Sequence, residues 1–598
     1  MATALVFVCC ALLAIERAGA VKRRRSGGVR SCGTLTTAFS VNGHFDCSMT
    51  VCTELIGQPA FSFICARFYG ILSVMENLQN LPLGVQDFSI LRCDNYLYVD
   101  KTALIYKLTH TNRAVFLSRP RRFGKSLLLS TMRYYFLGQK DLFKGLAIES
   151  LEKDWTEYPV LYFDFNGQNY TMENGLTDII ENHLTQWEER YDCKKIAETL
   201  AVRFENVIRA VREKTGKRVV VLVDEYDKPL LETMTVFPKI EEANRAIFKG
   251  VFGVLKKMDE YLRFYMFTGV TKFSKVSIFS DLNQLTDISL NPKYNNICGV
   301  SQTELENNFV TYIKRLAGAT GFSYSECLSE LKRMYDGYHF SSEGEGMYNP
   351  YSLLHCFDES SFGSYWFESG TPTFLINKLN ASHYDVRNFT DEVKARESEL
   401  KDYRPENADP TPLFYQSGYL TIKSWNQRQR SYKLGFPNAE VKYGFLDSLA
   451  PSYLHVVDKP APFNIDILDD AVEEGDTDGM CRWFTALFAL LPYPAGAEVE
   501  TVTEQNFQNV IFMSLTMMGK YARTEVHSAK GRADCILETA DYVYIFEFKR
   551  DVPADDALHQ IDEQGYAKPY SSDRRKIFKI GVNFSTKERN IAEWKVEG

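Results

Sequence analysis

Residues 115–126 read VFLSRPRRFGKS, and residues 127–136 continue as LLLSTMRYYF. The first three residues predict a short buried strand, and the apolar spacing from Ser126 to Phe136 predicts a helix. Between the two lies a turn that contains Gly124. This order is typical of a phosphate-binding loop (P-loop), because the N–H groups of the turn and the positive end of the helix surround phosphate oxygens. The stretch therefore predicts an α/β domain with a nucleotide site.

The P-loop pattern gives each residue of the turn an expected role. Lys125 reaches the outer phosphates, and Ser126 binds Mg²⁺. The expected nucleotide is ATP, and the other loop residues expected to contact it are Arg121, Arg122, Phe123 and Gly124. Arg119 stands where the general pattern has its first glycine. On this motif alone, a strand–helix turn that binds no nucleotide is the alternative.

A second acidic motif supports the nucleotide site. The run Val219–Val223 predicts a buried strand, and Asp224 and Glu225 follow it directly. At the carboxyl end of a parallel strand this is a Walker B arrangement, in which Asp224 holds the magnesium ion and Glu225 orients the attacking water. The alternative is a pair of acids that caps a helix. Thr268, at the end of a third predicted strand, is a candidate γ-phosphate sensor or an ordinary turn threonine.

The predicted elements divide the chain into four parts. Residues 1–78 form an N-terminal extension, and residues 79–300 form the P-loop domain, whose short strands and intervening helices predict a parallel sheet covered on both faces. Residues 301–480 are expected to be a mainly helical linker region with one hairpin, Tyr419–Ile422 and Tyr432–Phe436. Within that region Pro405–Pro412 is predicted to be a linker. Residues 481–598 form a last α/β domain.

The last domain contains a second constellation of charged residues. Asp534 opens a predicted strand, and Glu547 and Lys549 lie two residues apart on the next strand, so that both face the same side of the sheet. Two carboxylates and a strand carbonyl can bind Mg²⁺, and Lys549 can stabilise or position an attacking hydroxide. Glu504 is a possible additional metal ligand, and Gln560, in the following predicted helix, could face the same site.

A solvated strand face with an ion pair is the alternative for this E-x-K pattern. Residues 543–548 read VYIFEF, so Glu547 is the only polar residue of the run. A carboxylate in such surroundings carries a desolvation cost that a bound cation would offset. This favours the metal site.

Composition limits the classes of function. The chain has 598 residues, too many for one core, with 45% hydrophobic and 24% charged residues as in ordinary globular proteins. The net charge of -8 excludes the general positive coat of a dedicated nucleic-acid binder, so that contact with nucleic acid must be local. No stretch beyond the amino end is long and apolar enough to span a membrane.

The amino end and the cysteines bear on localisation. Residues 1–20 resemble a weak signal peptide, which leaves secretion open, and the basic run Lys22–Arg25 could be a nuclear address or part of an extension with no targeting role. Six of the 13 cysteines precede residue 70 and the others are scattered singly. Scattered cysteines favour a reducing, intracellular compartment, cytoplasmic or nuclear.

These motifs resemble a known family, whose members pair an AAA-ATPase-like domain with a carboxyl-terminal PD-(D/E)XK nuclease-superfamily domain. In that family RPRRFGKS is the usual form of the P-loop, so the resemblance implies that Arg119 is no defect. The resemblance extends from about Leu81 to the carboxyl end and rests on these stretches: LPLGVQDF (81–88), YLYVDKT (96–102), RPRRFGKS (119–126), VDEYDKP (223–229), YDGY (335–338), YWFE (365–368), LGFPN (434–438), YIFEFK (544–549) and GVNFS (581–585).

The leading hypothesis is an ATPase coupled to a Mg²⁺-dependent nuclease that acts on DNA or RNA. One rival is a nucleotide-switched binding protein in which an inactive nuclease fold serves as an interaction module. Another is an ATPase that acts on proteins, with the same fold as an adaptor. A homo-oligomer stays open, because an arginine finger supplied in trans would need a ring.

Overall fold

The computed structural model describes residues 79–193, 199–234, 236–273, 284–368, 393–401, 409–445, 465–490, 510–511, 514–515, 521–527 and 532–598. Residues 78–598 form one compact unit. The predicted extension 1–78 and most of the helix predicted at 507–518 lie outside the described residues.

The amino-terminal part of this unit is built on a five-stranded parallel sheet. Its strands, in the order β2-β3-β4-β1-β5, are β1 (Ala114–Ser118), β2 (Val160–Asp164), β3 (Val219–Asp224), β4 (Leu262–Gly269) and β5 (Thr286–Asp287). Alternate residues of β3 pack into two different hydrophobic cores. Val219, Val221 and Val223 belong to one core, and Val220 and Leu222 belong to the other. Because both faces of β3 are buried, this strand is apolar from Val219 to Val223. The predicted α/β class is confirmed.

Helices cover both faces of this sheet. They are Phe88–Cys93, Thr102–Thr111, Lys125–Phe136, Ala147–Leu151, Gly175–Arg190, Leu200–Thr215, Lys228–Leu231 and Pro238–Lys257. The helix Pro238–Lys257 begins at a proline, which is tolerated in a first helical turn because that turn has no intrahelical N–H bond to lose.

The middle region is mainly helical and also contains two small sheets. Strands β6 (Val300–Ser301) and β7 (Met347–Tyr348) pair, and β8 (Val393–Arg396), β10 (Ser431–Gly435) and β9 (Thr421–Asn426) form the second sheet in that order. The predicted hairpin is present as β9 and β10. The helices are Gln302–Asn308, Val310–Thr320, Tyr324–Tyr335, Pro350–Glu359, Tyr365–Glu368, Glu397–Lys401, Thr411–Ser417, Ile465–Glu474 and Thr477–Leu490.

The linker predicted at 405–412 is wrong at its carboxyl end, where a helix begins at Thr411. Pro412 lies in the first turn of this helix, where its missing N–H costs nothing. Residues 402–408 lie outside the described part of the chain.

The last sheet is mixed and has five strands in sequence order. They are β11 (Tyr521–His527), β12 (Arg532–Glu538), β13 (Tyr542–Arg550), β14 (Lys576–Ser585) and β15 (Asn590–Glu597), and only β13 and β14 are parallel to each other. The helix Ala554–Gln564 connects that parallel pair. One face of the sheet packs on this helix, and the other contacts Phe484 and Phe488 of the helix Thr477–Leu490.

Two further observations concern the described residues only. No helix among them is both long and apolar enough to cross a bilayer. Their seven cysteines form no disulfide with one another.

The helix Ala554–Gln564 approaches β14 closely at Gly581. A Cβ atom at this position would lie 2.4 Å from the carbonyl oxygen of Ala554 and 3.0 Å from Leu558. Any larger residue would push the helix away from the sheet.

Gly581→Ala is therefore expected to destabilise this part of the protein by about 1–3 kcal/mol through overpacking. Denaturant-induced unfolding measures the change. Gly250→Ala is the matched control, because an added Cβ there meets nothing within 4 Å in the helix Pro238–Lys257. That variant is expected to gain about 0.5–1 kcal/mol. Equal effects of the two substitutions would contradict the close helix–sheet contact.

Candidate functional site

The predicted P-loop has the backbone of an anion-binding nest. Arg122 and Gly124 both have positive φ angles, 65° and 91°. The helix that begins at Lys125 has no side-chain cap on its first N–H groups, and a Cβ built on Gly124 meets no atom within 4 Å. A loop of this shape, with open space beside it and uncapped donors, fits a phosphate group.

Lys125 is buried at the loop. Its ammonium donates hydrogen bonds to the carbonyl oxygens of Arg119, at 3.1 Å, and Pro120, at 3.0 Å. Both acceptors are neutral, and a phosphate would offer stronger, charge-assisted bonds to the same ammonium. The Lys125 ammonium is thus held within the loop by backbone carbonyl oxygens.

Arg119 holds the P-loop through hydrogen bonds to residues outside the loop. Its buried guanidinium donates to the carbonyl oxygens of Ser289, at 2.8 Å, and Tyr294, at 3.2 Å. The same group lies 4.0 Å from the ring centre of Phe340. Arg119 therefore anchors the loop to residues that follow β5, and this accounts for an arginine in the place of the first glycine.

The acidic pair at the end of β3 lies in a dense polar network. Asp224 is buried, and its Oδ1 accepts from the Thr268 hydroxyl at 2.7 Å and from the Glu225 N–H at 3.1 Å. Its Oδ2 accepts from the Tyr162 hydroxyl at 3.3 Å. The predicted sensor Thr268 therefore bonds Asp224 directly. Tyr162 was missed because the sequence analysis did not predict β2.

Glu225 follows in a strained conformation, with φ at 49°. Burial raises the pKa of Glu225, the nearby Lys125 lowers it, and Asp224 raises it further. Glu225 therefore interacts electrostatically with both Lys125 and Asp224. Strained residues of this kind are concentrated at functional sites.

Asp227 is a buried residue whose role the sequence analysis missed. One carboxylate oxygen accepts the N–H groups of Val270, at 2.9 Å, and Thr271, at 2.6 Å, together with the Thr271 hydroxyl. Asp227 therefore fixes the chain that leaves β4 beyond Thr268. The sequence feature that could have indicated this role is the position of Asp227 in the VDEYDKP stretch, residues 223–229.

The middle region contacts the P-loop directly. The indole N–H of Trp366 donates to the Arg121 carbonyl oxygen at 3.1 Å. Just before the middle region, the Gly299 N–H donates to the Phe123 carbonyl oxygen at 3.2 Å. The Phe123 ring is buried edge-on against Tyr338. Because the Phe123 ring is buried, this residue could contact a nucleotide only through its backbone. The side chains of Arg121 and Arg122, which were also predicted to contact the nucleotide, are exposed.

In the last sheet, the strand register brings the predicted acids together. Antiparallel pairing of Cys535 with Phe546 places Asp534 beside Glu547, on the same face of the sheet. The Asp534 Oδ2 accepts the Phe548 N–H at 2.8 Å. Lys549 shares this face, since it lies two residues beyond Glu547 on β13.

Three side chains meet at Glu547. The Lys549 ammonium lies 3.1 Å from the Glu547 Oε1 and 2.7 Å from the Gln560 Oε1, and the Gln560 amide donates to the same Glu547 oxygen. The other oxygen, Glu547 Oε2, is buried and has no hydrogen-bond partner. A buried carboxylate oxygen of this kind costs free energy unless a donor or a cation is bound to it.

The electrostatics of Glu547 also fit a cation site. Burial, followed by the neighbouring Asp534, raises the pKa of Glu547 to about 8. A divalent ion would relieve both effects, because it neutralises the two carboxylates together. Among the described residues no group of three histidine, cysteine or acidic side chains is placed to hold a metal. Asp534 and Glu547 are the two acids that lie side by side on this face of the sheet. Glu504 lies outside the described residues.

The fold and the two sites define a class of protein: a P-loop domain followed by a mixed sheet that presents two acids and a lysine on one face. Residues 82–279 match the family described as predicted AAA-ATPase, and residues 502–594 match the PD-(D/E)XK nuclease superfamily. The chain belongs to the family of proteins that combine these two domains.

A relative from Azotobacter chroococcum mcd 1 is similar over most of its length. It is described as an uncharacterized protein in vnfD 5'region, and it is 35% identical over 533 residues, which are 87% of this chain and 99% of the relative. The domain combination confirms the family that the sequence motifs indicated.

Glu547→Gln tests the electrostatics of the second site in metal-free protein. With a pKa of about 8, Glu547 keeps its proton in the folded state at pH values where the unfolded chain, with an ordinary value of 4.5, has lost it. Below the unfolded-state pKa of 4.5, the negative charge on Glu547 therefore does not reduce the free energy of unfolding. Above the folded-state pKa of about 8, the charge reduces the free energy of unfolding by its full amount. We expect the variant to unfold at a higher temperature than the wild type at about pH 9, with little difference at about pH 4.

Glu588→Gln is the control for the same measurement, because the Glu588 side chain is exposed. A Glu547→Gln variant whose thermal stability differs from the wild type equally at both pH values would contradict the raised pKa.

Proposed function

We propose that the chain is an ATP-hydrolysing enzyme whose nucleotide cycle controls a Mg²⁺-dependent phosphodiesterase, and that this nuclease cleaves DNA or RNA. The observation that supports the nuclease most strongly is the buried, unpartnered Glu547 Oε2 beside Asp534. An inactive fold kept only for binding other molecules would have no reason to retain this costly arrangement.

In the proposed nuclease site, Asp534 and Glu547 hold the metal ion. Mg²⁺, when bound, neutralises charge on the scissile phosphate. The Lys549 ammonium, held by Gln560 at 2.7 Å, stabilises or positions the attacking hydroxide. The Phe548 N–H fixes the Asp534 carboxylate at 2.8 Å, so that the acid keeps its orientation when substrate enters.

In the proposed ATPase site, the loop 121–126 surrounds the phosphates and Lys125 contacts the outer ones. Ser126 and Asp224 hold the magnesium ion that accompanies ATP, and Glu225 orients the water that attacks the γ-phosphate. Thr268 would sense that phosphate through Asp224, whose Oδ1 it contacts at 2.7 Å.

Asp534→Ala is expected to abolish Mg²⁺-dependent cleavage of plasmid DNA or RNA, by at least about a hundred-fold, while ATP turnover stays intact. Cleavage is followed on gels, with and without Mg²⁺. Asp541→Ala is the matched control, since Asp541 is an exposed acid in the turn that joins β12 to β13. If the Asp534→Ala protein still cuts nucleic acid, Asp534 is not a residue of the nuclease site. If the wild type binds no divalent ion, the nucleotide-switched binding protein with an inactive nuclease fold is favoured instead.

Lys125→Ala should have the converse effect. Loss of the ammonium that contacts the phosphates is expected to weaken ATP binding by about a hundred-fold or more, while divalent-ion binding at the last sheet is retained. Isothermal titration with ATP measures the change. Lys144→Ala, which alters an exposed lysine of the same domain, serves as the control. Unchanged ATP affinity in Lys125→Ala would show that the loop is not the nucleotide site.

A further inference from the structure

Two carbonyl groups of the P-loop accept hydrogen bonds from donors outside the loop. The Arg121 oxygen accepts from the Trp366 indole N–H at 3.1 Å, and the Phe123 oxygen accepts from the Gly299 N–H at 3.2 Å. In a planar trans peptide, the carbonyl group points in the opposite direction to the N–H group of the next residue. Each of these two bonds therefore also sets the direction of an N–H group in the loop.

The two N–H groups belong to Arg122 and Gly124. The first points away from the Trp366 indole and the second points away from Gly299, as the trans peptide requires. Among the described residues, no acceptor is bonded to either N–H group. Backbone N–H groups in folded proteins are nearly always bonded to protein, water or a ligand, so both groups are available to an anion.

The carboxyl group of Glu440 holds Trp366 in place. Glu440 is fully buried in the helical residues 439–445. Its Oε1 accepts the backbone N–H of Trp366 at 2.7 Å, and its Oε2 accepts the hydroxyl of Ser352, in the helix Pro350–Glu359, at 2.7 Å. Three separate segments of the middle region are therefore joined at this carboxyl group.

The Trp366 indole supports a strained part of the loop. Its ring is buried and lies 5.1 Å from the ring centre of Tyr419. The peptide that it contacts, at Arg121, leads directly into Arg122, whose φ angle of 65° is unfavourable for a residue with a Cβ atom. Strained backbone of this kind persists only where the surrounding structure holds it.

We propose that Trp366 and Glu440 are positioning residues of the proposed nucleotide site. Glu440 fixes Trp366, and the Trp366 indole turns the Arg121 carbonyl group outward, so that the Arg122 N–H is directed at a phosphate oxygen. The inference rests on the proposed nucleotide site, and neither residue contacts the nucleotide itself. An N–H group that is already aimed at its ligand binds more tightly, because the loop has less conformational freedom to lose.

Inorganic tripolyphosphate is the probe for this role, because it has phosphates but no sugar or base. In isothermal titrations of the full chain, Trp366→Phe is expected to bind tripolyphosphate about five-fold more weakly than the wild type, since it keeps a buried ring and loses only the indole donor. Trp425→Phe is the matched control and should not change the affinity. It makes the same change on β9, where the Trp425 ring packs 4.4 Å from that of Tyr432. Unchanged affinity in Trp366→Phe would overturn the proposal.

A double-mutant cycle distinguishes positioning from a general loss of stability. Glu440→Gln alone is expected to weaken tripolyphosphate binding about two-fold to five-fold, because an amide oxygen accepts more weakly than a carboxylate. In the Trp366→Phe background the same substitution should have no further effect, since Glu440 acts on the loop only through the indole. Losses of affinity that simply multiply would overturn the proposal.

Thermal unfolding of each variant is measured alongside. A variant pair that unfolds at a lower temperature and still binds tripolyphosphate as tightly as the wild type would show a structural role only. If Trp366→Phe does not fold, Glu440→Gln decides alone, and wild-type affinity in that variant would overturn the proposal.

The wild-type titration separates this proposal from the one it rests on. If the wild type binds neither ATP nor tripolyphosphate, the proposed nucleotide site is itself contradicted. If the wild type binds both and the two variants bind equally well, the nucleotide site stands and only the positioning role is contradicted.

Discussion

The burial of the Glu547 carboxylate constrains the arrangement of the last sheet, β11 to β15. Glu547 lies on β13 among apolar neighbours, and the helix Ala554–Gln564 covers its face of the sheet. One of its oxygens is bonded by Lys549 and Gln560, and the other has no hydrogen-bond partner. Burial and the neighbouring Asp534 charge disfavour the ionised form of Glu547, and the Lys549 ammonium at 3.1 Å offsets this only in part. A strand register of one residue more or less would turn it to the opposite face.

The P-loop is held in place by hydrogen bonds to residues outside the loop. Arg119 anchors the loop to the segment after β5, and Trp366 and Gly299 bond two of its carbonyl groups. Preorganised loops bind phosphates well because their N–H groups are already aimed inward before the ligand arrives. The middle region thus supports the P-loop through Trp366, in addition to connecting the two domains in the sequence.

Local patterns in the sequence were sufficient to predict β1, β3 and β13, because each of these strands contains a continuous apolar run followed by polar residues. They also placed Glu547 and Lys549 on one face, since a strand has a period of two. The prediction missed β2, whose short run Val160–Asp164 has a half-exposed tyrosine at its centre, and β15, which alternates weakly. It also missed Tyr162, Asp227 and Trp366, whose roles depend on contacts between segments far apart in the chain.

The account is tested most directly by locating a divalent ion in the protein. A crystal structure of the full chain grown with Mn²⁺, with anomalous difference density collected at the manganese edge, would show where the ion lies. We expect density between the Glu547 Oε2 and the Asp534 carboxylate, with Lys549 and Gln560 still in contact with the other Glu547 oxygen. Clear density for those side chains with no manganese between them would contradict the central claim that the two acids share a metal.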